Sequence, residues 1–454
     1  MLARAVGLNV AGQAVGFGVA FFSAIILARA LGPSDRGLLA IMVVITTIAL
    51  ALAGGGLQVA VQYYAGRPET PQRGLLGNTL AYGGVLAVVF VPLFLLLHGP
   101  IATAFAHGRG GMIWVLAALL VPLTFLDYST AGQLCGRLEF GVWNLLLVVA
   151  RLASLAAAVV LVVALGLGVA GGVIATATSS VVVVCVATAR LLRDGRPRID
   201  LTLFRRSVRY GTKAQVGAFF QFVNFRLDVL ILSLFAPLAS VGNYAVAQTL
   251  AELVAYLGVA FQISVLPILA RSDGDAAAAE TSARALRHHS LLALGVILVN
   301  AICAPLVLLF GYGRAFEPAL VPLLVLLPGM WFMGTGSLVV GDLRGRGRPG
   351  LASAVKGGAA VVTIALDLAL IPFFGVLGAA VASSLAYAAF GIAALVVLSR
   401  HAGVPVRELA IPTRADLAVY RRAGAALLGR LRRQSPEGDG RHVVGPAEPL
   451  VVGD

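Results

Sequence analysis

The sequence predicts an all-α polytopic membrane protein, with about twelve transmembrane helices in two six-helix lobes. Composition, long charge-free runs and a charge alternation between loops predict it. Of 454 residues, 59% are hydrophobic and 12% charged, whereas a soluble chain carries about 25% charged residues. So little charge cannot coat a surface that faces water. Residues 37–66, 74–108, 152–189 and 368–399 hold no Asp, Glu, Lys or Arg, and a spanning helix needs about 20 apolar residues.

Charge clusters and Gly/Pro turns divide the chain into spans at 8–30, 38–64, 75–97, 112–135, 142–165, 169–191, 212–236, 241–269, 289–311, 318–341, 351–374 and 376–399. The first imitates a cleaved signal, with Arg4 ahead of it and small Ala28 and Ala30 behind. Its apolar run is longer than a signal core and holds Asn9 and Gln13, so it reads as a span. Gly12 and Gly16 have small-xxx-small spacing and read as close helix packing. Span 2 places Gln58 and Gln62 on one face. Span 7 is the most polar, with Lys213, Gln215, Gln221, Asn224, Arg226 and Asp228. A helix polar along one sector turns it from lipid toward protein or water. Pro92, Pro122, Pro267, Pro305, Pro322, Pro328 and Pro372 mark bends. His288 and His289 read as solvated at the cytoplasmic end of span 9.

The loops alternate. One side carries Arg4, Arg67, Arg73, Arg137, the basic stretches 190–209, 271–287 and 344–348, and the tail after Arg400; the other carries only Arg29, Arg36, Arg109 and Arg314. The positive-inside rule puts the first set, and both termini, in the cytoplasm. A bacterial inner membrane is the expected location.

A duplication supports the two lobes. Gly132, Leu134, Gly136, Arg137 and Gly141 recur in the same spacing as Gly341, Leu343, Gly345, Arg346 and Gly350. Gly168, Val169, Gly171 and Ala175 recur as Gly375, Val376, Gly378 and Ala382, and Pro33 and Gly37 match Pro237 and Gly242 more loosely. The expected units are an N-terminal lobe at 1–191, a basic cytoplasmic connector at 192–211, a C-terminal lobe at 212–400 and a basic, partly disordered tail at 401–454. Each half has an even span count, so the lobes share one orientation around a central cavity, as in many secondary transporters. In the tail, Leu417, Tyr420, Leu427, Leu428 and Leu431 share a face bordered by arginines, which suits an interfacial helix.

A net charge of +14 raises nucleic acid as a partner, but the arginines lie in short segments between apolar runs, where they orient spans and meet anionic headgroups. Cys135, Cys185 and Cys303 match no metal or disulfide spacing and read as small core residues. No phosphate loop, metal motif or nucleophile elbow is present, so neither a cofactor nor a metal is expected.

A charge in hydrocarbon costs at least about 2.5 kcal/mol, so each one needs a reason. Arg226, Arg151 and Arg29 are read as a cationic substrate site with Asn224 and Gln221 beside it, because the planar guanidinium fork suits phosphate. The plainer reading is that Arg226 and Arg151 neutralise Asp228, Asp127 or Glu252, and that Arg29 reaches the periplasmic interface. Asp228, Asp127, Glu252 and Asp367 are candidates for coupling to H⁺ or Na⁺, with counter-ion duty as the alternative.

Three runs carry a resemblance: Leu27-Ala-Arg-Ala-Leu-Gly-Pro33 with Gly37; Arg226-Leu-Asp-Val-Leu-Ile-Leu-Ser233 leading to Val241-Gly-Asn-Tyr-Ala-Val-Ala247; and Asp367-Leu-Ala-Leu-Ile-Pro372 with Gly375, Gly378, Ala379 and Ala380. Over roughly residues 5–400 the chain resembles the Wzx-type polysaccharide flippases of the multidrug/oligosaccharidyl-lipid/polysaccharide (MOP) exporter superfamily. Where that family commonly has Asn, this chain has Asp367. The resemblance implies a MATE-like fold, alternating access, and movement of an undecaprenyl-diphosphate-linked oligosaccharide from the cytoplasmic to the periplasmic leaflet. The expected partners are membrane lipid and that lipid-linked glycan, for a monomer that is not an enzyme. Two rivals stand beside it. A cation-coupled multidrug antiporter would favour an acidic cavity, and a membrane-embedded glycan polymerase or ligase would need a sizeable periplasmic loop.

Overall fold

The computed structural model describes residues 2–269, 275–418 and 420, and all the regular structure among them is helical. In order come α1 (Leu2–Ala53), α2 (Leu57–Ala65), α3 (Gln72–Val85), α4 (Val91–Ala106), α5 (Ile113–Gly136), α6 (Phe140–Ala158), α7 (Gly168–Leu192), α8 (Leu201–Phe235), α9 (Leu238–Leu269), α10 (Asp275–Leu306), α11 (Leu320–Gly345), α12 (Pro349–Ala402) and α13 (Val406–Ala410). A π-turn at Leu86–Phe90 joins α3 to α4 in one rod, and others at Val159–Ala164 and Val307–Tyr312 extend α6 and α10. The first and third lie beside Pro92 and Pro305, whose missing amides interrupt the regular ladder.

Among the described residues, nine helical segments are long and apolar enough to cross a membrane, and the chain is a multi-pass membrane protein. Two of the nine bend at a glycine: α1 at Gly32 (φ 72°) and α12 at Gly375 (φ 54°). Each carries two of the expected spans, so the first pair and the last pair are joined by a bend rather than a loop. The remaining expected span, 212–236, falls on α8. The second expected span is corrected in another respect. It breaks at Gly54–Gly56, where Gly55 and Gly56 both take positive φ, into the end of α1 and the short α2.

The duplicated motifs fold alike. Arg137 and Arg346 cap α5 and α11, and their amides donate to Gln133 and Cys135 in one copy and to the matching Asp342 and Arg344 in the other. One residue on, Leu138 (φ 61°) and Gly347 (φ 73°) share the left-handed conformation, as do Gly168 and Gly375, both at φ 54°. A Cβ on Gly171 would press on the Leu161 carbonyl, and one on Gly378 on the corresponding Leu370 carbonyl.

The turns gather on two faces. On the arginine-poor face, Arg109 pairs with Asp35 at 2.9 Å, Arg29 donates to the Phe310 carbonyl at 2.7 Å, and the His107 Nε2 meets the Ser233 carbonyl at 3.0 Å. On the arginine-rich face, Arg137 pairs with Asp194 and Glu139, and Arg190 with Glu139. This grouping is what an alternating path across a membrane requires.

α1–α7 pack mainly among themselves, as do α8–α12, and α1 against α9 and α2 against α8 form the seam. At one end of it Gly37 and Gly242 bring backbones together. At the other, Gly56 meets Gly211, Tyr63 stacks on Tyr210 at 4.1 Å, and Gln215 donates to the Ala51 carbonyl at 3.1 Å. One apolar cluster crosses the seam, through Ile41, Met42, Tyr244, Val246, Leu323 and Met330.

Most of α3–α4, α6, α10 and α12 turns outward, presenting large apolar side chains such as Leu96, Ile302 and Phe373. Cys185 and Cys303 are exposed on this outer surface, not in the core, and Cys135 is half-buried. In a membrane the outside is as apolar as the inside, so composition alone does not distinguish them. His289, expected in solvent, is fully buried against Phe261 and Gly334, and neither ring nitrogen has a hydrogen-bond partner among the described residues.

Beyond α12 the chain turns back onto α10. Leu409 of α13 is fully buried, and Arg287 holds both Asp416, at 2.8 Å, and the Glu408 carbonyl, at 2.9 Å. Thr413 and Asp416 form a reciprocal capping box: the Asp416 carboxylate accepts from the Thr413 amide at 2.8 Å, and the Asp416 amide donates back to the hydroxyl at 3.4 Å. Of the expected interfacial helix, only Leu417 and Tyr420 fall among the described residues, and the rest lies outside them.

Candidate functional site

A cavity of about 390 Å³ lies on the seam between α1, α6, α7, α8 and α9. Its wall contains Arg36, Arg151 and Arg226, with the hydroxyls of Ser23, Ser154, Thr176, Ser179 and Thr249 and the amide of Gln248, and among the described residues no carboxylate. Each half of the chain contributes arginine. Arg36 follows the Gly32 bend, which turns it inward from the loop where the sequence places it. Arg151 projects from α6 toward α1, where Gly16 leaves it room, because a Cβ there would overlap the guanidinium. That role replaces the helix-packing reading of Gly16.

Arg226 is held from α9. Its Nη1 donates to Gln248 Oε1 at 3.1 Å and lies 3.0 Å from Glu252 Oε1, and its Nη2 donates to Glu252 Oε2 at 3.2 Å. The Glu252 side chain is only 6% exposed while that of Arg226 is 37% exposed. The carboxylate therefore sits behind the guanidinium, which faces the cavity. Pairing and lining are both true of Arg226, so the two readings of it do not compete.

The Arg36 Nε is buried without a hydrogen-bond partner, and Arg36 lies within Coulombic reach of Arg226. Like charges gathered in a weakly polar space disfavour each other, and an anion between them reverses the sign. The planar, many-donor guanidinium suits phosphate or carboxylate oxygens.

The other sequence candidates fall elsewhere. Arg29 is not in the cavity wall; its Nη1 is taken by the Phe310 and Gly311 carbonyls. Asn224 is buried against α12, donating to the Lys356 carbonyl at 3.3 Å and accepting from Thr363 at 3.0 Å. The Gln221 side chain lies outside the described residues. Asp127 accepts from Ser180 at 2.8 Å, between α5 and α7.

Asp228 and Asp367 belong to a second cluster in the α8–α12 half. Asp228 accepts from Tyr244 at 2.5 Å, from Ser383 at 3.0 Å, from Gln248 at 3.3 Å and from the Val229 amide at 2.8 Å. Asp367 is fully buried within Coulombic reach of Asp228, and neither of its oxygens has a hydrogen-bond partner among the described residues. Gln248 bonds both Arg226 and Asp228 and so joins this cluster to the cavity.

The sequence reading missed Arg36 and Gln248. Gln248 stands one helical turn before Glu252 in an apolar span, a spacing that could have found it. Arg36 gave no local signal, since a turn hides which way its side chain points.

A sequence profile of the polysaccharide biosynthesis protein family matches residues 26–321. The chain belongs to that family. This member has no match among curated protein sequences. Its fold is similar to that of the lipid II flippase MurJ in an inward closed conformation, with TM-score 0.71 and 13% identity over 95% of this chain and 94% of that one. An inward-facing MATE multidrug resistance transporter of the MOP superfamily aligns with TM-score 0.65 and 16% identity, over 87% of this chain and 98% of that one. The MATE multidrug transporter DinF-BH gives 0.62 and 18% over 90% and 96%. This polysaccharide biosynthesis protein therefore has the fold of MOP transporters and flippases.

Proposed function

We propose that this protein is a flippase that carries a lipid-diphosphate-linked oligosaccharide from the cytoplasmic to the periplasmic leaflet of a bacterial inner membrane. The observation that carries the reading is the seam cavity, lined by Arg36, Arg151 and Arg226 with no carboxylate among the described residues of its wall. Such a wall attracts a diphosphate and repels a cationic drug, which favours the flippase over the antiporter. The family's role in polysaccharide biosynthesis points the same way.

In this mechanism the arginine-rich face is cytoplasmic, as the loop charges require. The lobes at 1–191 and 212–400 rock about the seam, while 192–211 connects them and both termini stay inside. The seam parts on the Tyr63–Tyr210 side to admit the diphosphate, which displaces like-charge repulsion between the arginines. It then parts on the Gly37–Gly242 side to release it, while the polyprenyl chain remains in lipid. An inside-negative potential favours outward movement of negative charge by about 2.3 kcal/mol per charge per 100 mV. The Asp228–Asp367 cluster supplies ion coupling. A buried unpartnered carboxylate beside another is stable only when a proton or a cation neutralises it. Asp127 and Glu252 then act as counter-charges and hydrogen-bond acceptors.

Proteoliposomes containing a fluorescent polyprenyl-diphosphate oligosaccharide test this. Export is read as accessibility of the glycan to an added glycosidase. Arg36→Ala and Arg226→Ala are expected to lower the rate at least tenfold in protein that remains folded. Unchanged rates would remove the cavity from the transport path.

A further inference from the structure

A second cavity, of about 790 Å³, opens on the arginine-rich face between the start of α3 and the connector ahead of α8, with Arg73, Arg137 and Arg198 in its wall beside Asp194 and Asp200. It shares no lining residue with the seam cavity. Its architecture is fixed by bonds that do not use all of its charge. Asp194 pairs with Arg137. Asp200 caps α8, accepting from the Leu203 amide at 2.9 Å, while Asn78 clamps the Asp200 backbone through bonds of 2.8 Å and 2.9 Å. Arg73 gives its Nε to the Asp194 carbonyl at 2.5 Å. Neither Arg73 nor Arg198 forms an ion pair with a carboxylate among the described residues, and both are exposed.

The surroundings are amphiphilic. Ile199 and Leu201, in the wall on either side of Asp200, are 67% and 65% exposed. The rod that begins with α3 is buried next to the pocket, at residues 74–79, and turns outward further along, from Val85 to Leu97. The pocket therefore lies at the charged end of a spanning rod, with two guanidinium groups that have no carboxylate partner among the described residues beside two bare aliphatic side chains. A soluble anion makes no use of the aliphatic pair, whereas a phospholipid uses both: its phosphate meets Arg73 and Arg198, and its glycerol and upper acyl carbons cover Ile199 and Leu201.

We infer that this pocket is a binding site for the phosphate headgroup of an anionic membrane lipid, separate from the transport cavity and independent of what that cavity carries. The test uses the full-length protein in nanodiscs of equal phosphatidylglycerol and phosphatidylcholine, with retained lipid measured by native mass spectrometry. Phosphatidylglycerol is expected to be enriched severalfold on the wild type. Arg73→Gln with Arg198→Gln should abolish the enrichment, Ile199→Ser with Leu201→Ser should weaken it, and Arg226→Ala should leave it intact. Should the double variant lose its fold through the Arg73–Asp194 bond, Arg198→Gln alone carries the test, because that side chain makes no described hydrogen bond. A second arm adds inorganic phosphate or pyrophosphate to detergent-solubilised protein and reads thermal shift. No protection supports the lipid source. Protection of the wild type but not of Arg198→Gln, without phosphatidylglycerol enrichment, overturns the lipid in favour of a soluble phosphate. Enrichment that survives Arg73→Gln and Arg198→Gln overturns the site.

Discussion

Gly37 and Gly242, matched in the sequence duplication, meet backbone to backbone across the seam: a Cβ on Gly37 would overlap the Leu238 carbonyl, and one on Gly242 would overlap the Pro33 carbonyl. The contact is reciprocal, as expected where two copies of a motif face each other. It closes the arginine-poor end of the seam and allows no side chain on either side.

Gly37→Ala and Gly242→Ala should each separate the halves at this end, with an overpacking cost of about 1–3 kcal/mol to the closed form. A cysteine placed at Ser34 should then react faster with a membrane-impermeant maleimide. Equal labelling of variant and parent would show that the contact does not hold the seam shut.

Leu138 occupies a left-handed conformation that its counterpart Gly347 adopts without a side-chain clash. Holding a leucine there costs about 1–2 kcal/mol, partly offset by the extra freedom glycine gives the unfolded chain. Leu138→Gly should therefore stabilise the protein by about 0.5–1 kcal/mol, and Gly347→Leu should destabilise it. Thermal unfolding in detergent checks both signs.

Among the described residues Asp367 has no hydrogen-bond partner for either oxygen, although it is fully buried. Asp367→Asn removes the need for a proton or cation at this buried carboxyl, and should raise thermal stability while abolishing any Na⁺ or pH dependence of transport. Asp228→Asn breaks a satisfied network with Tyr244, Ser383 and Gln248, and should lower stability by about 1–3 kcal/mol. If the two variants behave alike, the carboxylates do not have the separate roles assigned to them.

The tail strap should depend on pH. Burial alone would raise the Asp416 carboxyl, but the hydroxyl and amide of Thr413, with the Arg287 guanidinium, outweigh it and hold the carboxyl below its ordinary value. A carboxyl depressed in the folded state contributes stability above its unfolded value of about 3.9. That contribution is lost as pH falls through the folded value. Hydrogen exchange across 406–418 should be slow at pH 7 and accelerate, relative to the rest of the protein, in stronger acid. Asp416→Asn should show the fast exchange already at pH 7.

The sequence by itself determined that this chain crosses a membrane many times, that its turns fall on two faces, and that its halves repeat. Those conclusions rest on one-dimensional properties: the length of apolar runs, the position of charges between them, and glycines recurring at matched places such as Gly168 and Gly375. It also singled out Arg151 and Arg226, because an arginine inside an apolar run is visible without knowing its neighbours.

Only the tertiary structure decided which charges meet. Arg29 and Arg36 stand seven residues apart around one bend, yet Arg29 is tied to the Phe310 carbonyl and Arg36 lines the cavity. The Gly32 dihedral separates their directions, and a dihedral leaves no trace in composition. In the same way, Asn224 and Asp228 share a helix but serve different contacts, one to α12 and the other to Tyr244 and Ser383. Residues remote in the chain set those contacts, and a side chain's partner depends on the packing of every helix around it.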